Sequence, residues 1–337
     1  MKRLFWALAV ALMMFAPAAL AQTAQEITDT CTLSAVGKKT LGRMTDGQYQ
    51  TYWASSSGSY AYVEIEAEES VGGLYVQFYE DIAALEVQIT DDAGAWRTVA
   101  VSGGSFLNEY IALDAGTETV RIRPKDGKGR LFIAELHVFG EGDAPDWVQQ
   151  WEPTPKKADL LLLVAHPDDE LIFFGGTIPT YAVEKNMNVV VAYMSYSNTT
   201  RRSELLNGLW HMGLRQYPVI GDFGDVYMRS LDDAYAHWTK RKSRAYIMEL
   251  IRQYKPDVMI THDINGEYGH GAHKLCANVT QYCVEHSGDE TFMPESAEKW
   301  GTWTVKKLYL HMGREKTIFM DWHVPLESMG GKTGLEL

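Results

Sequence analysis

The apolar positions of this chain follow two grammars that change near residue 150. From residue 31 to 142 they come as short alternating runs: Tyr60-Ala61-Tyr62-Val63-Glu64-Ile65, Gly73-Leu74-Tyr75-Val76-Gln77-Phe78, Leu85-Glu86-Val87-Gln88-Ile89, Val120-Arg121-Ile122-Arg123 and Leu131-Phe132-Ile133-Ala134-Glu135-Leu136-His137-Val138. Alternation with a period of two puts one side of a strand in a core and the other in water, and pairs such as Gly103-Gly104 and Asp126-Gly127 supply the turns between strands. The pattern predicts an all-β sandwich over residues 31–142. A polar joint follows, Glu141-Gly142-Asp143-Ala144-Pro145-Asp146-Trp147, and residues 143–157 read as a linker. Beyond it, over residues 158–337, continuous apolar runs alternate with helical stretches. Strands are expected over 159–165, 187–194, 257–262 and 305–311, and helices over 177–185, 202–212, 239–254 and 272–285. Strands that are apolar throughout and separated by helices belong to a parallel sheet covered on both faces. The second half is therefore expected to be a Rossmann-like, three-layer α/β fold with a mostly parallel sheet.

Two of those apolar runs end in chemistry. Leu160-Leu161-Leu162-Leu163-Val164-Ala165 closes on His166-Pro167-Asp168-Asp169-Glu170, and Val258-Met259-Ile260-Thr261 leads on to Tyr268-Gly269-His270-Gly271-Ala272-His273. In an open α/β sheet ligands sit beyond the carboxyl ends of the strands, so the two motifs are expected to meet in one crevice. Histidines together with a carboxylate are the donor set of a catalytic zinc, which takes three protein ligands and keeps one position open. His166, an aspartate and His273 meet that need. Which of Asp168 and Asp169 is the ligand and which the base is left open by the residues themselves. Glu170 reads equally as a carboxylate favoured at a helix start or as a support behind the ligands. His237, His262, His286, His311 and His323 form no cluster along the sequence, although His262 with Asp263 is placed at the crevice mouth. Cys31, Cys276 and Cys283 lack C-x-x-C spacing; on one helix the last two would lie about two turns apart, too far for a bridge, and they read as small buried hydrophobes.

Charge and the N-terminus change the picture in one respect each. Lys2 and Arg3 precede an apolar run over residues 4–15 and the triplet Ala19-Leu20-Ala21, the layout of a cleaved secretory signal over residues 1–21. The run is shorter than the roughly 20 residues a membrane span needs, so a secreted or periplasmic protein with no span in its mature form is expected. Removing the segment leaves 29 basic against 44 acidic residues and moves the formal charge from −13 to −15. Such a surface does not bind nucleic acid by phosphate neutralisation.

The His166-Pro167-Asp168-Asp169-Glu170 run with Gly175-Gly176, Arg202-Ser203-Glu204-Leu205 and residues 266–273 together resemble the LmbE/PIG-L family of zinc-dependent de-N-acetylases, from about residue 159 to the C-terminus. The resemblance implies one Zn2+ held by His166, Asp169 and His273, with Asp168 as general base. It further implies that His270 and Tyr268 face the substrate carbonyl and its oxyanion, that Arg202 contacts substrate, and that the substrate is an N-acetylated glycan of the N-acetylglucosamine type. Whether Asp168 or His270 returns the proton to the leaving amine stays open. The chain departs from the family's usual Gly-His-Pro-Asp-His motif at Gly271 and Ala272, and family members commonly continue beyond the point where this chain stops, so a shortened sequence is expected. The first half, through Thr45-Asp46-Gly47, Trp53, Trp96 and the closing run 133–138, resembles the discoidin-like (F5/8 type C) galactose-binding jelly roll, which implies a glycan-targeting module. The other function class is a glycan-binding protein whose deacetylase-like half is inactive; the complete ligand set argues against it.

Overall fold

The computed structural model describes residues 22–37, 40–80, 82–114 and 116–337; the expected signal segment, residues 1–21, lies outside them. Among the described residues the first half holds nine strands: β1 (Thr32–Ser34), β2 (Trp53–Ala54), β3 (Val63–Glu66), β4 (Gly73–Phe78), β5 (Leu85–Thr90), β6 (Trp96–Val101), β7 (Asn108–Ala112), β8 (Thr119–Pro124) and β9 (Phe132–Phe139). They form two antiparallel sheets, in the orders β1-β3-β8-β5-β6 and β2-β9-β4-β7. Alternation works as expected in β3 and β8. Val63, Ile65, Val120 and Ile122 are buried, while Glu64 and Arg121 pair across the outer face. In β4 all six residues are buried rather than every second one. The reason lies outside the sheet: Ala24, Val148 and Phe139 pack with Tyr75 on its far face.

The second half holds five parallel strands in the order β12-β11-β10-β13-β14, comprising β10 (Leu160–Val164), β11 (Val189–Ser195), β12 (Val219–Phe223), β13 (Val258–Thr261) and β14 (Lys307–Leu310). The helices are α1 (Asp169–Ile172), α2 (Thr199–His211), α3 (Leu231–His237), α4 (Lys240–Tyr254), α5 (Gly271–His286) and α6 (Pro294–Trp300), with a π-helical turn over Pro179–Glu184. Leu160, Leu162 and Val164 face the side covered by Leu205, Leu206 and Leu209 of α2. Leu161, Leu163 and Ala165 face the opposite side, covered by Ile247 and Ile251 of α4 and Leu275 and Val279 of α5. Burial on both faces explains why the strands read as unbroken apolar runs. From β10 the chain crosses to β11 on one side and reaches β13 on the other, which opens a crevice at the carboxyl ends of β10 and β13.

Residues 143–157 run along the boundary between the halves, where Val148, Gln149 and Trp151 are buried. Trp151 packs edge-on against Trp210 and Tyr217 and donates its indole N–H to Gln149 at 2.9 Å. A chain of amides crosses the boundary: Asn108 donates to Gln149 (2.6 Å), Gln149 donates to Asn207 of α2, and Asn207 donates to the Tyr49 hydroxyl (3.1 Å). One hydrophobic cluster takes in the sandwich interior, Trp151 and the α2 face of the parallel sheet. Among the described residues no helix is long and apolar enough to cross a membrane, and all three cysteines are free, with Cys276 and Cys283 buried.

Candidate metal centre

β10 delivers His166 to the crevice and stops, because Pro167 cannot continue the ladder and Asp168 turns the chain with φ 92°. That backbone region is costly for a residue with a Cβ, and such strain concentrates at functional sites. The turn is held by its own carboxylates. Asp169 accepts the His166 backbone N–H at 2.9 Å, and Glu170 accepts the Asp168 N–H at 3.0 Å. Glu170 is buried, and burial pushes its carboxyl up to about 8, with Asp169 and Asp168 adding in the same direction. Through that hydrogen bond it braces the turn from beneath.

Opposite, a short 3-10 turn over Glu267–Gly269 leads into α5, with His270 as its N-cap. The His270 Nδ1 accepts the Ala272 N–H at 3.2 Å, which leaves Nε2 to carry the proton of the neutral ring. Burial, with His166 and His273 alongside, lowers its pKa to about 4. The departure at Gly271 has a local cause. Its N–H donates to the Met228 carbonyl at 2.8 Å, and a Cβ there would stand 2.3 Å from the Ser230 oxygen. Proline has no N–H and would bring its ring into that space.

His166, Asp169 and His273 converge. His166 Nδ1 lies 3.3 Å from Asp169 Oδ2, and His273 Nε2 lies 3.3 Å from Asp169 Oδ1. A ring nitrogen of each of His166, His270 and His273 falls within 4.8 Å of the others, and so do the donor atoms of Asp169, His262 and His273. His166 Nε2 and His273 Nε2 are buried and make no hydrogen bond. Buried imidazole nitrogens left unpaired beside a carboxylate are what a divalent cation would satisfy, so these residues fit the zinc that the sequence led us to expect. Burial alone would raise the Asp169 carboxyl, but the imidazoles of His166, His262 and His273 hold it well below the usual carboxylate range.

Behind the ligands stands a support that the sequence reading did not pick out. Glu267 is buried and gathers three imidazoles: His262 Nδ1 at 2.8 Å, His311 Nδ1 at 2.7 Å and His273 Nδ1 at 2.9 Å. His262 is committed elsewhere as well, since its Nε2 accepts the Ala165 N–H at 3.0 Å. It therefore buttresses the strand end, whereas His273 has its Nε2 free to meet a cation. A carboxylate behind a ligating imidazole fixes its orientation and raises its basicity. Burial opposes the charge on His273, but Asp169 and Glu267 prevail and raise its pKa to about 9. His262 follows its strand directly, His166 follows its own with Ala165 between, and that position at a strand end was the available signal.

Around the mouth, Asp168 is half-exposed and accepts from Arg201, not Arg202, at 2.9 Å; Arg201 also donates to the Pro167 carbonyl at 2.7 Å. The Arg202 guanidinium lies 5.8 Å from the centre of the Tyr196 ring. Tyr268 is 73% exposed and packs against His270, with Tyr227 against another side of the same imidazole, at ring separations of 5.8 and 5.1 Å. Burial and the nearby acids push the Tyr268 phenol up to about 12, which keeps it a donor. Asp225, beyond β12, stands 3.8 Å from His166 Nε2 and had no signal in sequence.

Residues 161–284 match the profile of the GlcNAc-PI de-N-acetylases, PIG-L. The chain is 29% identical over 185 residues to a 1D-myo-inositol 2-acetamido-2-deoxy-alpha-D-glucopyranoside deacetylase of Catenulispora acidiphila, covering 46% of this chain and 56% of that protein. It is 30% identical to the deacetylase of the same name from Rhodococcus erythropolis, covering 43% and 60%. The chain thus spans somewhat over half the length of these curated relatives. Among solved structures, an N,N'-diacetylchitobiose deacetylase from Pyrococcus horikoshii aligns with TM-score 0.41 and 18% identity over 49% of this chain and 65% of that one. An F5/8 type C domain from Bacteroides fragilis aligns with TM-score 0.28 and 15% identity over 35% and 96%. The family profile and the curated relatives support a PIG-L-type deacetylase domain in the second half.

Proposed function

We propose that this chain is a secreted or periplasmic, zinc-dependent hydrolase that removes acetyl groups from N-acetylated sugars of the N-acetylglucosamine type. The observation that carries the reading is the convergence of His166, Asp169 and His273, with unpaired buried nitrogens, beside a half-exposed Asp168. A zinc ion held by those three supplies a Lewis acid for the amide carbonyl and acidifies the attacking water. Asp168 takes the proton from that water, and Arg201 holds the carboxylate in place through its hydrogen bond. His270, protonated on Nε2, and the Tyr268 hydroxyl are the donors for the oxyanion that develops on the acyl oxygen. Collapse of the tetrahedral adduct breaks the C–N bond, acetate leaves, and the amine takes a proton from Asp168 or His270. The sequence of residues 1–21 supports export, and the discoidin-like pattern supports glycan contact by the sandwich.

The test is metal analysis of the purified protein together with acetate release from a panel of N-acetylated mono- and oligosaccharides. Stoichiometric zinc and acetate release that a chelator abolishes and zinc restores is the expected result. Zinc-loaded protein that releases no acetate from any member would overturn the reading.

A further inference from the structure

The boundary between the two halves opens into a groove of about 430 Å³, lined by Gln50 and Tyr79 of the sandwich and by Asn198, Thr199, Thr200 and Arg201 at the start of α2. We propose that this groove is a subsite for the further sugar units of an oligomeric N-acetylated glycan, so that the sandwich supplies one wall of the substrate cleft. The proposal rests on the deacetylase reading above and extends it to substrate length.

Three observations carry it. First, the groove adjoins the chemistry, since Arg201 lines it and the same guanidinium donates to Asp168 at 2.9 Å. A chain whose acetamido group lies at the metal ligands and Asp168 has its next units within reach of the groove. Second, the walls are fixed relative to each other. Tyr49, adjacent to Gln50, accepts from Asn207 of α2 at 3.1 Å, and Tyr79 is stacked on Tyr52 with ring centres 4.2 Å apart. Pre-organised walls lower the ordering cost of binding. Third, the lining selects the ligand. Side-chain amides, hydroxyls, a guanidinium and a phenol ring line the groove, with no aliphatic side chain and no carboxylate. The Gln50 amide, the Tyr79 hydroxyl and the Thr199 and Thr200 hydroxyls make no hydrogen bond to another described residue. Uncommitted neutral donors and acceptors beside an aromatic ring suit a hydroxyl-rich, uncharged ligand, and the size falls within the roughly 300–1,000 Å³ of small-ligand sites.

The test compares zinc-loaded wild type with Gln50→Trp, which fills the groove from an exposed position, and with Tyr79→Ala. Acetate release is measured on N-acetylglucosamine and on N-acetylchitotetraose, and binding of the tetrasaccharide is followed by calorimetry. The ratio of kcat/KM on the tetrasaccharide to that on the monosaccharide should fall about tenfold in both variants, through KM, and tetrasaccharide binding should weaken in step. An unchanged ratio, or an equal loss on both substrates, overturns the subsite. If wild type releases no acetate from either sugar, the deacetylase reading fails by itself; the calorimetric comparison still decides the groove, because tetrasaccharide binding unaffected by Gln50→Trp, or absent from wild type, refutes it.

Discussion

Asp168 occupies a backbone region that L-residues avoid, and the turn keeps it there through the buried Glu170 and the guanidinium of Arg201. The left-handed conformation costs of order 1–3 kcal/mol, a cost that glycine largely escapes. Asp168→Gly is therefore expected to unfold at a higher temperature than Asp168→Ala, while both lose acetate release by about 10²–10⁴ with zinc content unchanged. Thermal unfolding, metal analysis and turnover together check this; full activity in either variant would remove Asp168 from the base role. A second prediction concerns Glu267. Replacing it with glutamine removes the charge that three imidazoles share, and zinc affinity should weaken about 10–100-fold, as read by competition with a chromogenic chelator. The pH dependence of the same affinity follows from His273, whose pKa without metal is raised to about 9. Zinc must displace that proton, so apparent affinity should fall by up to about tenfold for each pH unit below 9; a flat affinity between pH 6 and 8.5 would contradict it.

At the scale of elements, strand ends and helix starts do the positioning. Gly271 lets α5 begin against the Met228 and Ser230 carbonyls, and so sets where His270 and His273 stand. Gly271→Ala should lower stability by about 1–3 kcal/mol through overpacking and reduce zinc content as well, measurable by denaturant titration and metal analysis. Much of this architecture is legible in the sequence. The apolar runs of β10 and β13 place both motifs at neighbouring strand ends, and the predicted helices at 239–254 and 272–285 match α4 and α5 closely. β12 escaped because Gly221 and Asp222 interrupt its apolar pattern; Gly221 is needed where a Cβ would meet the Met194 carbonyl at 2.4 Å. α3 and α6, with seven residues each, are too short to display a helical period. The missed members of the site have a common cause. Glu267, Arg201 and Asp225 gain their roles from what the fold sets against them, the imidazoles of His262, His273 and His311, the Asp168 carboxylate and His166 respectively, and periodicity reports which face a residue takes, not what it meets there.

For the molecule as a whole, the boundary behaves as core. Trp151 is 6% exposed and packs on Trp210 and Tyr217 within the cluster that also fills the sandwich. Trp151→Ala should cost about 3–5 kcal/mol and lower a single calorimetric transition, whereas two separated transitions with only one displaced would show halves that fold independently. The tie between Tyr49 and Asn207 has a further consequence for how a polymer would be processed. A freely tethered module only raises local concentration, leaving the sites of attack along a chain unordered. A wall held at constant distance from Asp168 acts as a ruler. With the groove filled, each hydrolysis would fall a set number of sugars from the bound end, and the free amines left on a long glycan would be evenly spaced rather than scattered.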